Sequence, residues 1–268
     1  MITRRKFLML AGSAALATFL PTQISALTQS SGSASGDSKY RWAMVVDVSK
    51  CTECMEELIK KTGNPEVKPP CVLACDYENN VPEFEDKRVD PQWIRIVKMR
   101  LKKPSVNPKE FYMPILCNHC EHPPCVQVCL TLASFKRSDG IVMIDTHRCI
   151  GCRYCMIACP YGARSFNYEY PEHGLKKVNP EVPMRTKGVV EKCTFCAHRI
   201  DEAIIKGEEP VPACVEACKT LGKGALTFGN IKDPESEVSR LLRSNFAVQL
   251  RANLGTDPHV FYINLGGE

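Results

Sequence analysis

Aromatic residues are scarce in this sequence of 268 residues, at 7% of the total. A chain of this length with so few large apolar rings has only a modest hydrophobic core. Two further features are missing from the sequence. It has no basic run with interleaved aromatic residues, which would favour nucleic-acid binding, and no catalytic acid, base or nucleophile that we can nominate. We therefore expect neither a nucleic-acid-binding protein nor an enzyme acting on its own.

Cysteine is abundant instead, with 16 residues in the chain. That number suits four tetra-thiolate metal sites or eight disulfides. Metal clusters bound by thiolates would tie the chain together and supplement its small core. The formal charge is +5, but metal clusters bound by four thiolates each would be anions and would turn the folded protein negative. A solvated surface is therefore the simplest interpretation of the scattered Lys and Arg.

The chain opens with a targeting segment. Arg4 and Arg5 precede an apolar stretch, Phe7–Leu20, which is followed by small residues. This order is typical of a signal peptide, and the paired arginines indicate the twin-arginine type, which exports folded proteins. The stretch is shorter than the roughly 20 apolar residues of a spanning helix, although a membrane anchor, including an uncleaved signal, is the alternative. We expect a signal peptide at 1–26, a flexible linker at 27–39, and a location on the periplasmic face of the membrane.

Every cysteine belongs to one repeated pattern, Cys-x₂-Cys-xₙ-Cys-x₃-Cys, and none is left over. In chain order, n is 16, 4, 2 and 17. The third copy is followed by Pro160, and Gly151 permits close backbone approach within it. This copy is the bacterial ferredoxin motif, whose fourth cysteine ligates the neighbouring cluster in two-cluster ferredoxins. The copies are Cys51, Cys54, Cys71, Cys75; Cys117, Cys120, Cys125, Cys129; Cys149, Cys152, Cys155, Cys159; and Cys193, Cys196, Cys214, Cys218.

Cross-ligation of this kind predicts the cluster to which each cysteine belongs. The two short-loop copies lie close together in the chain and are paired with each other, and the two long-loop copies are paired as pseudo-twofold mates. We therefore expect four [4Fe–4S] clusters and no catalytic residue. The predicted ligands are Cys51, Cys54, Cys71 and Cys218 for cluster 1; Cys193, Cys196, Cys214 and Cys75 for cluster 2; Cys117, Cys120, Cys125 and Cys159 for cluster 3; and Cys149, Cys152, Cys155 and Cys129 for cluster 4.

Other uses of the cysteines and their neighbours stay open. Zinc ribbons also use Cys-x₂-Cys pairs, and an exported protein can carry disulfides, although close pairs such as Cys149 and Cys152 make poor bridges. Four histidines near the motifs, His119, His122, His147 and His198, suit surface or supporting roles better than ligation. Six bases close to the ligands would favour the reduced clusters unless they are ordinary surface charges: Arg148, Arg153, Arg164, Lys192, Arg199 and Lys219.

Hydrophobic patterning places secondary structure around the motifs. We predict strands at Arg41–Val48, Trp93–Leu101, Ile141–Asp145, Ala225–Gly229 and Val260–Leu265, with the first leading into a cluster loop. Short helices are expected after Cys125, Cys155 and Cys214, with longer ones at Thr194–Lys206 and Glu235–Arg243. Residues 55–70 and 197–213 are interpreted as insertions in cluster loops, and residues 163–192 as a crossing between halves or a partner contact.

These elements predict an α+β fold of duplicated ferredoxin-like (βαββαβ-type) units, each with two [4Fe–4S] clusters and one nested within the other. The four-cluster domain would span 40–268. Its inner unit would cover about 110–165, and its outer unit about 40–109 plus 185–230, followed by a C-terminal extension at 231–268.

Several motifs resemble the four-cluster ferredoxin subunits of the molybdopterin oxidoreductase and polysulfide reductase families. The similarity covers about residues 40–265, with Leu130 and Lys219 standing where many relatives have proline. The motifs that carry it are Trp42-Ala43-Met44-Val45-Val46-Asp47, Glu78-Asn79-Asn80-Val81-Pro82, Cys117-Asn118-His119-Cys120-Glu121-His122-Pro123-Pro124-Cys125, Asp139-Gly140-Ile141-Val142, the run from Cys149 to Arg164, and Lys192-Cys193-Thr194-Phe195-Cys196.

Within these families, the twin-arginine signal, the long first insertion and the lack of a C-terminal membrane helix make the chain most similar to the exported DsrO-type subunit of the sulfite-reduction-linked membrane complex. The resemblance implies a one-electron carrier beside an NrfD-type integral-membrane, menaquinone-binding subunit, with a haem c subunit and further subunits as partners. Two alternatives stay open: an electron-transfer subunit of a molybdopterin-dependent oxidoreductase, and a zinc-binding assembly protein with no redox role.

Overall fold

The computed structural model describes residues 38–101 and 109–265. The predicted signal peptide and almost all of the predicted linker lie outside the described residues. The strands are β1 (Trp42–Asp47), β2 (Ile94–Leu101), β3 (Lys109–Leu116), β4 (Ser134–Lys136), β5 (Val142–Ile144), β6 (Ser165–Phe166), β7 (Val190–Glu191), β8 (Leu226–Asn230), β9 (Val248–Gln249) and β10 (Val260–Ile263). The helices are α1 (Val48–Thr62), α2 (Pro70–Glu78), α3 (Pro124–Gln127), α4 (Tyr154–Ala158), α5 (Ala197–Lys206), α6 (Ala213–Leu221) and α7 (Glu237–Ser244), with 3₁₀ turns at Pro171–Gly174 and Ala252–Leu254.

A four-stranded mixed sheet, in the order β8-β1-β10-β9, lies at the centre of this arrangement. Strand β1 runs antiparallel to β8, with Val46 opposite Leu226, and parallel to β10, with Met44 opposite Val260. Both faces of β1 are buried, which is why its sequence is an unbroken apolar run rather than an alternating one. Met44 and Val46 face the main core, and Ala43 and Val45 pack with Val238 of α7.

Three two-stranded antiparallel sheets complete the strand pairing of the described residues: β2 with β3, β4 with β5, and β6 with β7. In the longest pair, Ile94 lies opposite Leu116, and the register continues to Leu101 opposite Lys109. Strand β3 is absent from the strands predicted above. Pro114 argues against a strand there, since proline cannot donate to a ladder, yet the flanking Phe111 and Met113 are buried as an inward-facing pair.

The cluster loop expected after β1 is a helix, so that prediction was wrong. The helix α1 begins at Val48, and the side chain of Asp47 caps it by accepting a hydrogen bond from the backbone N–H of Lys50 at 3.2 Å. Cys51 and Cys54 therefore lie on its first turns. Gly63 ends the helix with φ of +68°, a left-handed conformation that glycine adopts without strain.

The second expected loop insertion is also partly helical, as α5 occupies its first ten residues. The other predicted elements are confirmed with end shifts of a few residues: strands β1, β2, β5, β8 and β10 and helices α3 to α7 occupy the expected positions. No described helix is long and apolar enough to cross a membrane.

Hydrogen bonds from Asn179, Asn80 and Arg185 fasten the segment between β6 and β7 to the end of α2. Arg185 donates to the backbone carbonyls of Asn79 and Asn80 at 2.6 and 2.7 Å, and to the Glu191 carboxylate at 2.5 Å. The same carboxylate accepts the indole N–H of Trp93 at 3.0 Å. Since Glu191 and Trp93 are buried, this network ties residues 163–192 to the residues that follow Cys75.

Candidate metal centres

Helix packing joins the cysteine motifs in pairs, because α2 packs against α6 and α3 packs against α4. We call the first and fourth motifs, with α1, α2, α5 and α6, the long-loop half. The second and third motifs, with α3, α4, β4 and β5, are the short-loop half. All sixteen cysteines are free thiols, and eleven of them are buried. Free thiols in a protected interior are the ligands that iron–sulfur clusters require.

In the long-loop half, helices α2 and α6 pack against each other and each carries the last two cysteines of its motif. Burial raises the pKa of the Cys51 thiol to about 12, and the neighbouring charges of Cys218 and Cys54 add to the rise. The pKa of Cys71 is raised in the same way, by burial and then by Cys218, Cys51 and Cys54. The structure thus brings together the four thiols predicted for cluster 1.

A second group is formed by the other cysteines of the same helix pair and the first two of the fourth motif. Burial raises the pKa of the Cys75 thiol well above its ordinary value, with further contributions from Cys193, Cys196 and Cys214. The amide of Asn79, four residues later on the same face of the chain, is 3.8 Å from the Cys75 sulfur and 3.6 Å from the Cys196 sulfur. These four cysteines are those predicted for cluster 2.

In the short-loop half, the last cysteine of the third motif joins the first three of the second. The pKa of the Cys120 thiol is raised to about 12 by burial and by Cys117, with smaller contributions from Cys125 and Cys159. Cys159 directly follows α4, whose packing against α3 carries it across to the second motif. These four cysteines are those predicted for cluster 3.

The fourth group surrounds a small cavity at the surface, lined by Cys129, Cys149, Cys152 and Cys155. These are the cysteines predicted for cluster 4. The backbone N–H of Ser134 lies 3.3 Å from the Cys129 sulfur. The pKa of the Cys129 thiol is lowered overall. Burial acts to raise it, but hydrogen bonds from Ser134, Thr131 and Ala133 together have the larger effect and lower it. A thiol prepared in this way ionises readily to the thiolate that binds metal.

Two buried side-chain N–H groups near the cysteines have no hydrogen-bond acceptor in the part of the chain that the structure describes, and they show whether a cluster fits these thiol groups. His119 Nε2 and Arg164 Nη2 are both buried and unpartnered within the described residues. His119 Nδ1 accepts the backbone N–H of Val142 at 3.0 Å, so its proton is assigned to Nε2. An unmet buried donor costs about 1–3 kcal/mol. Cluster sulfides and thiolates accept hydrogen bonds, and the four thiol groups with these donors therefore fit [4Fe–4S] clusters.

The histidines behave largely as expected. His119 is buried and stacks on Phe195, with ring centres 3.7 Å apart, while His198 bonds to Glu78 at 2.7 Å. His122 and His147 are exposed. Within residues 38–101 and 109–265, no three His, Cys, Asp or Glu side chains converge to hold a single metal ion.

Two contributors to the site were missed by sequence reasoning. Asn79 reaches two cysteine sulfurs, and its signal was a position four residues after Cys75 at the end of a helix. Gly188 was the other: its carbonyl oxygen occupies the space that a Cβ at Gly151 would need. The close approach that Gly151 permits is thus to the backbone of the β6–β7 segment, which packs against the cluster 4 loop.

Two family models match the chain over these motifs. Each is described as a 4Fe-4S dicluster domain, one over residues 108–177 and the other over residues 148–221. Together with the sixteen cysteines, these two domains mean that the protein carries four [4Fe–4S] clusters. The chain belongs to the 4Fe–4S ferredoxin-type iron–sulfur subunits of the molybdopterin oxidoreductase family.

Three relatives with similar sequences show which kinds of complex contain such subunits. The chain is 72% identical to Hdr-like menaquinol oxidoreductase iron-sulfur subunit 1 of Archaeoglobus fulgidus, over 100% of both chains. It is 38% identical to the iron-sulfur cluster-binding subunit of menaquinone reductase of Nitratidesulfovibrio vulgaris, over 84% of this chain and 89% of the relative. It is also 36% identical to the arsenate respiratory reductase iron-sulfur subunit of a Shewanella species, over 85% and 97%. All three relatives are iron–sulfur subunits of oxidoreductases.

Proposed function

We propose that this chain carries single electrons through its four clusters, between a membrane subunit that reacts with menaquinol and the other redox subunits of a respiratory complex. The observation that carries the proposal is the arrangement of the four thiol groups. Two neighbouring groups share the α2–α6 pair, and two share the α3–α4 pair. The clusters supply the one-electron chemistry, and the protein supplies sulfur ligands, hydrogen bonds and insulation from water.

We propose the same four sets of cysteine ligands that the sequence predicts. Each cluster takes three thiolates from its own motif and the last thiolate of the partner motif, as the thiol groups described above suggest. The crossing would make each pair of motifs a ferredoxin-like unit, with the short-loop unit nested inside the long-loop one. The parallel and antiparallel pairing of β1 with strands near the end of the chain supports this nested arrangement.

Cluster 4 is the group best placed to meet another subunit. Cys152 is exposed, and exposed apolar side chains stand within three residues of its ligands in the chain. A protein surface with exposed apolar groups of this kind suits burial against a partner. We propose that this face meets the quinone-reactive, NrfD-type membrane subunit. The exposed side chains are Leu130, Leu132, Ile150, Tyr154 and Ile157.

We also propose that the chain is a DsrO-type subunit of a sulfite-reduction-linked complex that includes a haem c subunit. Support comes from the menaquinol oxidoreductase relative, to which the chain is similar along its whole length. The paired Arg4 and Arg5 support export by the twin-arginine route, as a folded protein, to the periplasmic face. Changing both to Lys should leave the cluster-loaded chain in the cytoplasm, and unchanged export would contradict this route.

The test uses the native complex, purified anaerobically in detergent. Addition of a menaquinol analogue should produce the EPR signals of reduced clusters in this chain, and addition of the quinone should remove them. The same preparation should contain haem c and an integral-membrane subunit. Clusters that respond to dithionite but to neither quinol nor quinone would contradict the proposed function.

A second candidate is the electron-transfer subunit of a molybdopterin enzyme. It is favoured by the similarity to the tetrathionate reductase relative from Salmonella typhimurium and to a putative dimethyl sulfoxide reductase iron-sulfur protein from Halobacterium salinarum. Molybdenum analysis of the purified complex separates the two candidates. Stoichiometric molybdenum in a co-purifying large subunit would select the second candidate and reject the first.

A further inference from the structure

Two of the six bases near the clusters are buried, and the other four are not. Arg164 is 5% exposed and Lys192 is 2% exposed. Among the described residues, neither forms an ion pair with a carboxylate. Arg164 Nη1 donates to Ser134 Oγ at 2.8 Å, and Lys192 Nζ donates to the backbone carbonyls of Cys193, at 2.7 Å, and Val142.

The remaining bases are exposed or already paired with acids. Arg148 pairs with Asp145, Arg199 with Glu216, and Lys219 with Glu237. The side chain of Arg153 lies over Tyr168 and Phe166 at the surface. Solvent and counter-charges screen such groups, so their influence on a nearby cluster is small.

Arg164 lies near thiols of both clusters 3 and 4. Its Nη1 donates to Ser134 Oγ, and the backbone N–H of the same serine lies 3.3 Å from the sulfur of Cys129, of cluster 4. In the chain it closely follows Cys159, of cluster 3. Burial raises the pKa of Cys125, of cluster 3, and the charge of Arg164 opposes that rise. Burial also raises the pKa of Cys155, of cluster 4, and Arg164 opposes it through its charge and a hydrogen bond. With its Nη2 unpartnered, this guanidinium is positioned to serve both clusters.

Lys192 lies near residues that hold clusters 2 and 3. Its Nζ donates to the carbonyls of Cys193 and Val142, and the backbone N–H of Val142 donates to the ring of His119, which directly precedes Cys120 of cluster 3. It directly precedes Cys193, of cluster 2, where burial raises the pKa to about 12 and Lys192 opposes the rise. Its charge opposes the rise at Cys125 of cluster 3 as well. Both buried cations therefore act on a thiol of cluster 3, whereas Lys192 alone acts on cluster 2 and Arg164 alone on cluster 4.

Cluster 1 has a different environment within the described residues. Burial and the neighbouring thiols raise the pKa values of Cys51 and Cys54 most. The carboxylate of Asp47 adds to the rise at Cys51, and that of Glu57 adds to the rise at Cys54. The base on that side is Lys223, which is partly exposed and pairs with Glu57 at 2.5 Å. No buried base among the described residues acts on this cluster.

A buried cation with no carboxylate partner is costly unless another anion compensates it. The thiolate-bound clusters are the anions available here, and reduction makes them more negative. A buried positive charge near two clusters therefore stabilises the reduced form of both, since charge and hydrogen bonding set the reduction potential.

On the basis of the electron-transfer function proposed above, we propose that Arg164 and Lys192 are counter-ions shared between neighbouring clusters. Arg164 raises the reduction potentials of clusters 3 and 4, and Lys192 raises those of clusters 2 and 3. Cluster 1, which has neither, has the lowest potential of the four. Both bases act on the clusters through their positive charge.

The test is an EPR redox titration of the cluster-loaded complex, with iron content measured for every variant. In Arg164→Gln, two components should move to lower potential, and at a fixed applied potential their ratio of reduced to oxidised cluster should fall about tenfold or more. In Lys192→Gln, two components should move likewise. One component should move in both variants, and one should move in neither.

Arg148→Gln is the matched control. Arg148 precedes Cys149 as Lys192 precedes Cys193, but its side chain is 67% exposed. This control should leave all four components nearly in place. Arg164→Lys, which keeps the charge, should restore much of the shift seen in Arg164→Gln. Shifts no larger than those of the control, or equal shifts of all four components, would overturn the proposal.

If Arg164→Gln or Lys192→Gln loses iron, a cysteine variant provides a second measurement of the order of potentials. Cys54→Ala removes a thiol of cluster 1 alone, so the component missing from its titration should be the one with the lowest potential in the unmodified protein. Loss of any higher-potential component would reject the ranking. Because all these readouts are potentials, they differ from the quinol-reduction result that tests the proposed function itself.

Discussion

The two halves of the protein use the same cysteine pattern in opposite ways. In the long-loop half, seven of the eight cysteines are buried, whereas in the short-loop half four are buried and Cys152 is exposed. The extra residues between the second and third cysteines of the long-loop motifs continue α1 and contain α5. Long insertions thus build protein around the sulfur ligands, and short ones leave the ligands near the surface.

Charge follows the same division. The buried bases Arg164 and Lys192 act on thiols of the short-loop half, and only Lys192 also reaches a thiol of the long-loop half. Solvent exposure and charge are two of the variables that set cluster potentials. We infer that one half is arranged for insulation and the other for exchange of electrons with a partner.

The largest expected effect is loss of a whole cluster, and it tests whether the motifs of the short-loop half exchange their last thiolates. The double variant Cys120→Ala/Cys159→Ala should lose one cluster, because both thiolates bind cluster 3. The double variant Cys152→Ala/Cys159→Ala should lose two. Counting intact clusters by EPR and iron analysis checks this, and the opposite pattern would show that each motif keeps its own fourth cysteine.

A large change in stability is expected from the core beside cluster 2. Phe195 is 1% exposed, stacks on His119 and meets Phe228 edge-on with ring centres 5.2 Å apart. Phe195→Ala should lower the free energy of unfolding by about 3–5 kcal/mol, measured by anaerobic chemical denaturation. Phe246→Ala, at a side chain 88% exposed, should change it by less than about 0.5 kcal/mol. Equal effects would contradict the contribution of the Phe195 ring contacts to stability.

Two glycines with nearly the same backbone conformation sharpen the comparison of the halves. Gly63 has φ of +68° with open space around it, whereas Gly151 has φ of +70° and the Gly188 carbonyl oxygen stands where its Cβ would have to lie. Gly63→Ala should cost about 1–2 kcal/mol from conformation alone. Gly151→Ala should cost about 2–4 kcal/mol because overlap is added. Thermal denaturation of both variants measures the difference, and similar costs would contradict the close packing of the cluster 4 loop.

The smallest expected effect concerns pH. Burial lowers the pKa of His259 to about 4, and the charges of Arg41 and Lys136 also lower it, against a hydrogen bond to the His119 carbonyl and the charge of Asp257. Below about pH 6.5 the unfolded chain protonates this histidine and the folded one does not, so stability falls as the pH drops towards 4.

Between pH 7 and pH 5 the unmodified protein should therefore lose roughly 1–2 kcal/mol more than His259→Gln does. Denaturation midpoints of the two proteins at both pH values provide the measurement. A parallel loss in both proteins would show that His259 does not contribute to the acid sensitivity.

The apolar runs were enough to predict five of the ten strands of the described residues, β1, β2, β5, β8 and β10, because the side-chain period is a local property. The assignment of thiols to clusters from the cysteine spacing stays a prediction. Strand β3 was missed since Pro114 is tolerated in a two-stranded sheet. The helix α1 was missed because a Cys-x₂-Cys pair was interpreted as a loop, although Asp47 is a good N-cap. Lys192 and Arg148 occupy the same place in their motifs, and only tertiary packing decides which of them is buried.

One chain of this protein holds four one-electron centres. An anaerobic reductive titration of the purified complex counts them, with the contribution of this chain resolved by low-temperature EPR and by iron analysis. We expect uptake of about four electrons and about sixteen iron atoms per chain. Uptake of about two electrons with half the iron, or bound zinc with no electron uptake, would contradict it.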